Sequence, residues 1–274
     1  MIYAKQPAGV FAPEMVLNGM PKSGLHLIEA MCKPMVTKMP PSPLHPHAWI
    51  GTFGWHSFSG KWNENLKPFF WKTARLAAGH YLKGHVGWRQ DIAEHLDRCG
   101  IAMVFIYRDL RDVAVSQSYH VVDRDDDRFT HADKSFYRKL GGHDAVLKAV
   151  IEGVGGYPGI VERWELFAGW LKEDWVLRVK FEDAIKDPKG VAEWIVQYGY
   201  KRKCEVATYG QEIEFGDDIH DLVRRMVGSM QSGSATFRKG TAEQWRDEFK
   251  PEHYEAFEAT GGNEWLERLG YSLP

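Results

Sequence analysis

The chain has little of what marks several common protein classes. It has three cysteines, Cys32, Cys99 and Cys204, far apart and without a Cys-x-x-Cys pair. That argues against a disulfide framework or zinc ribbon and fits a reducing cytoplasm. It lacks a basic excess: 35 Lys+Arg stand against 37 Asp+Glu, a formal net charge of -2. A nucleic-acid partner is therefore not expected. No apolar run reaches the roughly eighteen residues of a membrane span, and the opening MIYAKQPAGVFAPEMVLNG has no basic-then-apolar leader pattern. The expectation is a soluble cytoplasmic protein. One further absence says more about chemistry. Gly19 and Gly24 have the separation of a nucleotide-binding P-loop, yet Leu25 and His26 follow where that motif has Lys and Ser/Thr. The loop's lysine, Lys22, sits inside it.

What is present reads as one α/β domain over residues 1–274, with 44% hydrophobic and 26% charged residues. Apolar strands are expected at Val16–Asn18, His80–Val86, Ile101–Tyr107 and Asp174–Asp183. Helices should follow at LHLIEAMCKPM up to Pro34, at RQDIAEHLDRC, at RDLRDVAVSQSYH, and at AIKDPKGVAEWIVQYG, closed by Gly199. Alternation of this kind predicts a three-layer, P-loop-like fold, a central parallel sheet flanked by helices. Segment 34–75 is rich in Pro, Trp and Phe, with Trp55 and Phe58 among its aromatics. It offers no regular pattern and is read as a lid or wall of a binding site. The run Asp123–Arg128 lacks the glycine and distal glutamate of a calcium loop and reads as a solvated helix end. His45, His47 and His56 have no second ligand cluster at zinc spacing, so no metal is expected.

Four pieces carry the chemistry, in order along the chain. Lys22 lies in a glycine loop between strand and helix, where free N–H groups and a positive dipole end favour an anion. Lys83 and His85 are two apart on a strand and so share a face. Arg108 ends the Ile101–Tyr107 strand, with Ser116 in the next helix. FRKGTAEQW (Phe237–Trp245) is a basic-glycine turn.

Together these resemble the cytosolic-type sulfotransferases that use 3′-phosphoadenosine 5′-phosphosulfate (PAPS) and release adenosine 3′,5′-bisphosphate (PAP). The family's Pro-Lys-Ser-Gly-Thr-Thr-Trp loop is matched by Pro21, Lys22, Ser23 and Gly24. Its Lys-Thr-His strand is matched by Lys83, Gly84 and His85, its Arg…Asp-Val-Ala-Val-Ser segment by Arg108 and Asp112–Ser116, and its Arg-Lys-Gly turn by Arg238, Lys239 and Gly240. The resemblance implies a catalytic set of His85, Lys22, Lys83 and Ser116. His85 would be the base, with an imidazole titrating near neutrality. Lys22 would stabilise the leaving phosphate, and Lys83 would steady the sulfuryl oxygens. Lys22, Ser23, Gly24, Leu25 and His26 would hold the donor's 5′-phosphate. Arg108, Ser116, Arg238, Lys239 and Gly240 would hold its 3′-phosphate, and Phe181 would stack on the base. No metal is implied, and the acceptor would be a small molecule.

The sequence also departs from that pattern. Leu25, His26 and Leu27 replace Thr-Thr-Trp, Glu243 replaces a glycine after the Arg-Lys-Gly turn, and the family's C-terminal dimer motif is poorly kept in RDEFKPEHYE. The oligomeric state stays open. Two other readings remain: a P-loop kinase using Asp109 as a magnesium ligand, and a non-catalytic nucleotide-binding module. Taken singly, Lys22 suits a solvated loop, Ser116 a helix–sheet contact, and the Arg238–Lys239 pair a solvated turn.

Overall fold

The chain folds around a parallel sheet. The structure, a computed structural model, describes residues 13–35, 47–53, 66–76, 79–123, 134–154, 156–206, 218–230 and 241–273. Its elements begin with β1 (Met15–Gly19), α1 (Leu25–Cys32), β2 (His47–Phe53), α2 (Lys67–Thr73), β3 (Tyr81–Val86), α3 (Gln90–Arg98), β4 (Ala102–Tyr107) and α4 (Leu110–Asp123). There follow α5 (Lys134–Tyr137), α6 (His143–Glu152), the short hairpin β5 (Gly153–Val154) and β6 (Tyr157–Pro158), and α7 (Ile160–Ala168). The remainder is β7 (Leu177–Lys180), α8 (Phe181–Lys186), α9 (Pro188–Val206), α10 (Ile219–Met230), α11 (Trp245–Glu248), α12 (Pro251–Ala259) and α13 (Gly262–Arg268).

The main sheet runs β2-β3-β1-β4-β7, every neighbouring pair parallel. Side-chain alternation gives it two cores. Met15 and Leu17 of β1 pack with Val104, Ile106, Leu27 and Ile28 on one face, under α1, α9 and α10. Val16, Leu82, Met103 and Phe105 pack with Val113, Leu147 and Trp164 on the other. Helices on both faces make the three layers expected. In register, Asn18 lies between Gly84 and Phe105, which brings the carboxyl ends of β1, β3 and β4 together. That edge is where open α/β sheets bind ligands.

Three expectations need correction. The strand expected over Asp174–Asp183 is shorter, because Leu177–Lys180 alone pairs with β4 and Phe181 already begins α8. Gly199 does not close its helix: α9 continues to Val206. That glycine serves packing instead, since a Cβ there would lie 2.7 Å from Pro13 Cγ. The described part of segment 34–75 does contain regular structure: β2 is an edge strand on β3, and α2 buries Phe69. Pro68 masked that helix, yet it occupies the first turn, where its missing N–H costs nothing. Residues 36–46 and 54–65, with Trp55 and Phe58, lie outside the described residues, as do 124–133. Of His47 only the backbone is described.

Candidate active site

The glycine loop is fixed from within. The Ser23 hydroxyl points to Met20 O (2.7 Å) and to Ile106 O (3.1 Å) on β4, and Ser23 N–H donates to Met20 O (3.1 Å). Gly19 has to be glycine: a Cβ would come within 2.6 Å of Ser23 Oγ and 2.7 Å of Ile106 O. Gly24 turns the chain into α1 at φ 107° and presses on Phe181, whose Cδ2 would be 2.5 Å from an added Cβ. Lys22 itself adopts φ 74°, a left-handed backbone that a non-glycine residue enters at a cost. No side chain caps α1. Its first N–H groups, at Leu25 and His26, are left at a helix start, a place that favours an anion. Ser23, named as a phosphate contact, spends its hydroxyl on the loop.

His85 comes to this loop from β3. Its Nδ1 lies 2.6 Å from Gly19 O. A carbonyl accepts, so Nδ1 carries the proton and Nε2 is left with the lone pair. Burial pushes the imidazole down to about 4, outweighing the Gly19 hydrogen bond, and the Arg163 and Lys22 charges push the same way. The ring is thus neutral at pH 7, although it does not titrate near neutrality as expected. Asn18 of β1 holds the strand beside it. Its Nδ2 donates to Val86 O (2.9 Å) and its Oδ1 accepts from Val86 N–H (2.8 Å), while Trp170 Nε1 also donates to Val86 O (2.7 Å).

Lys83 shares His85's face, as its spacing requires. Its ammonium lies 2.6 Å from Glu29 Oε2 on α1. His26, with a half-exposed ring, approaches the same oxygen at 3.5 Å through Nδ1, and Tyr81 OH donates to Glu29 Oε1 at 3.4 Å.

The second cluster lies at the end of β4. Arg108 is buried, its Nη2 donating to Asp112 Oδ2 (3.0 Å) and to Thr241 O (2.9 Å). Its Cζ sits 4.2 Å above the Phe181 ring, and its buried Nε has no hydrogen-bond partner among the described residues. Asp112 also accepts from Glu243 N (2.9 Å) and Trp245 N (3.1 Å), so the residues after the basic-glycine turn are pinned beside Arg108. Arg238, Lys239 and Gly240 themselves lie outside the described residues. Ser116 is half-buried on α4, one turn beyond Asp112. Phe181 is buried between Gly24 and Arg108. Stacking on a base would require that packing to open.

Asp109, the kinase reading's magnesium ligand, is already engaged: Arg111 Nη2 lies 2.6 Å from its Oδ2 and Arg111 N–H donates to Oδ1 (2.9 Å). Among the described residues no group of three or more His, Cys, Asp or Glu could hold a metal ion, and no helix is long and apolar enough to cross a membrane. Three polar residues escaped the sequence reading. Glu29 had a signal, a carboxylate on the apolar face of LHLIEAMC. Asn18 ends an apolar strand, and Asp112 was seen only as part of a matched segment.

Comparison with known proteins bears on this arrangement. No curated protein matches the chain by sequence. Solved structures match by fold. Mouse sulfotransferase SULT7A1 complexed with PAP aligns with a TM-score of 0.54 at 16% identity, covering 96% of this chain and 87% of the other. Retinol dehydratase with retinol and PAP gives 0.51 at 16% identity, covering 96% and 84%. The same enzyme with androsterone and PAP gives 0.50 at 15% identity, covering 95% and 82%. The family model described as the sulfotransferase domain matches residues 90–270, which include Arg108, Ser116 and Phe181 but start after the glycine loop and His85. With most of its length matched by that model, the chain belongs to the sulfotransferase domain family.

Proposed function

We propose that the protein transfers the sulfuryl group of PAPS to a hydroxyl of a small-molecule acceptor, by in-line displacement with His85 as the base. One observation carries the choice of donor: two groups able to receive an anion lie at the ends of neighbouring strands, the start of α1, which has no side-chain cap, and the buried Arg108, whose Nε has no hydrogen-bond partner among the described residues. A nucleotide with a single 5′-phosphate has no use for the second. The residues fit a bisphosphorylated nucleotide. The α1 N-terminus and Lys22 would hold the 5′ side, and Arg108, Ser116 and residues 238–240 the 3′ side. When bound, the donor supplies the sulfuryl group on its 5′-phosphate. Lys22 stabilises the charge that builds on the departing phosphate, and His85 Nε2 takes the acceptor's proton. Retinol dehydratase, which shares this fold, is seen in complex with retinol or with androsterone, which supports an acceptor with a large apolar body.

The kinase reading is weaker, because Leu25 and His26 stand in place of Lys-Ser/Thr and Asp109 is held by Arg111. Thermal scanning separates the two. PAP at about 100 times its Kd should stabilise the fold by roughly 2.7 kcal/mol, a shift of several degrees, in the presence of EDTA. AMP should give little shift, and Arg238→Ala should reduce the PAP effect. Equal shifts for AMP and PAP, or a magnesium requirement, would favour the kinase.

A further inference from the structure

Glu29 is out of place by charge. It is a buried carboxylate one turn into the helix whose start binds an anion, where a negative side chain opposes the ligand. Its contacts explain how it is tolerated. Burial pushes its pKa up, but hydrogen bonds from His26 and Lys83, and the Lys83 charge, outweigh burial and hold it at about 2. The carboxylate is therefore ionised throughout the physiological range. Its two oxygens tie together three residues: His26 in the first turn of α1 at 3.5 Å, Lys83 on β3 at 2.6 Å, and Tyr81 on the same strand at 3.4 Å. No other carboxylate among the described residues bridges the loop helix to the strand that carries His85.

A lysine side chain has several rotatable bonds and costs entropy to hold still. One carboxylate oxygen occupies one of its three N–H donors and fixes where the charge sits. We propose that Glu29 is a positioning residue: it holds the Lys83 ammonium, together with His26, at the seam between α1 and β3, so that this ammonium meets the sulfuryl group of the donor. The inference rests on the donor reading above. It adds that the lysine's position is set by the helix and not by its own strand.

The test compares two ligands that differ by the sulfuryl group. PAPS and PAP carry similar total charge, so the general effect of deleting a carboxylate cancels in the ratio of their affinities. Calorimetric titrations without acceptor on the wild type, Glu29→Gln, Lys83→Met and the double variant give that ratio. The preference for PAPS over PAP should fall at least fivefold in either single variant and no further in the double. A strut that merely glues α1 to β3 would weaken both ligands alike. An unmoved ratio, a rise in it, or additive losses in the double variant overturns the proposal. Should Glu29→Gln fail to fold, Glu29→Asp keeps the charge but retracts it by one methylene; the ratio should again fall, and an unmoved ratio counts against Glu29. If the wild type binds neither nucleotide, the donor reading has failed and this inference with it. Wild-type PAP binding with an unmoved ratio removes the role of Glu29 alone.

Discussion

Asn18→Leu is the sharpest probe of how His85, the proposed base, is aimed. The β1–β3 ladder pairs Asn18 with Gly84, and the Asn18 amide then bonds both backbone groups of Val86. His85 is bracketed between those two attachments. Leucine is close to asparagine in size but makes neither bond. Val86 O would keep the Trp170 donor at 2.7 Å, while Val86 N–H would lose its acceptor in a fully buried place. An orphaned buried N–H costs about 1–3 kcal/mol and the other lost bond about 0.5–1.5 kcal/mol. Leucine's more favourable burial offsets part of this, leaving a net loss of about 1–3 kcal/mol, measurable by urea unfolding. The functional effect should exceed what that loss implies. A shift of about 1 Å in a catalytic group can cost on the order of 10²-fold. Single-turnover transfer of ³⁵S from labelled donor should therefore slow at least tenfold while PAP affinity stays near wild type. ¹⁵N shifts of His85 should also move from the Nδ1–H tautomer toward a mixture. If Asn18→Leu loses stability yet transfers within twofold of wild type, Asn18 is only a packing residue.

Two further outcomes follow from the same geometry. His85 is held near 4 against an ordinary 6.5, so between those values the unfolded chain binds the extra proton and the native one does not. Its contribution is constant above pH 6.5 and turns against the fold as pH falls toward 4. His85→Gln should flatten that part of the stability-versus-pH curve and lower transfer by about 10²–10⁴-fold; a curve of unchanged slope would show the ring is not shifted. Glu243 adopts φ 60° where the family pattern has glycine, with its side chain on Arg246 at 3.0 Å at the surface. Left-handed backbone costs a non-glycine residue roughly 1–2 kcal/mol, so Glu243→Gly should leave the melting temperature unchanged or raise it. Glu243→Val should lower it, and a clear loss with glycine would mean the exposed ion pair matters more than the backbone.

The order of elements was readable because β1, β3 and β4 are apolar runs bounded by glycines and helices with a clear apolar face. The two proposed anion sites could be named from the sequence because a glycine loop before a helix, and an arginine at a strand end, have physical meanings at that level. Partners were not readable. Lys83 beside His85 suggested a pair of groups facing the donor, whereas the nearest charge to Lys83 belongs to Glu29, far off in sequence and close only once α1 lies on β3. The titration of His85 was misjudged for a like reason: burial outweighs the Gly19 hydrogen bond, and Arg163, remote in sequence, pushes the same way as burial. Pro68 and Gly199 misled in opposite directions, one sitting in a helix start and the other inside a helix that needed a gap for Pro13.

The pinning of the glycine loop has a consequence for how the chain becomes active during synthesis. Ser23 is fastened to Ile106 O, 83 residues later, and β1 is flanked on both sides by strands made after it. Contacts of such long sequence separation form late, because loop closure must come first. A nascent chain that has not yet delivered β4 has the residues of the loop but nothing to brace them. Ribosome-stalled chains ending before residue 100 should therefore show no ordered loop, and a slow refolding phase should coincide with the docking of β4.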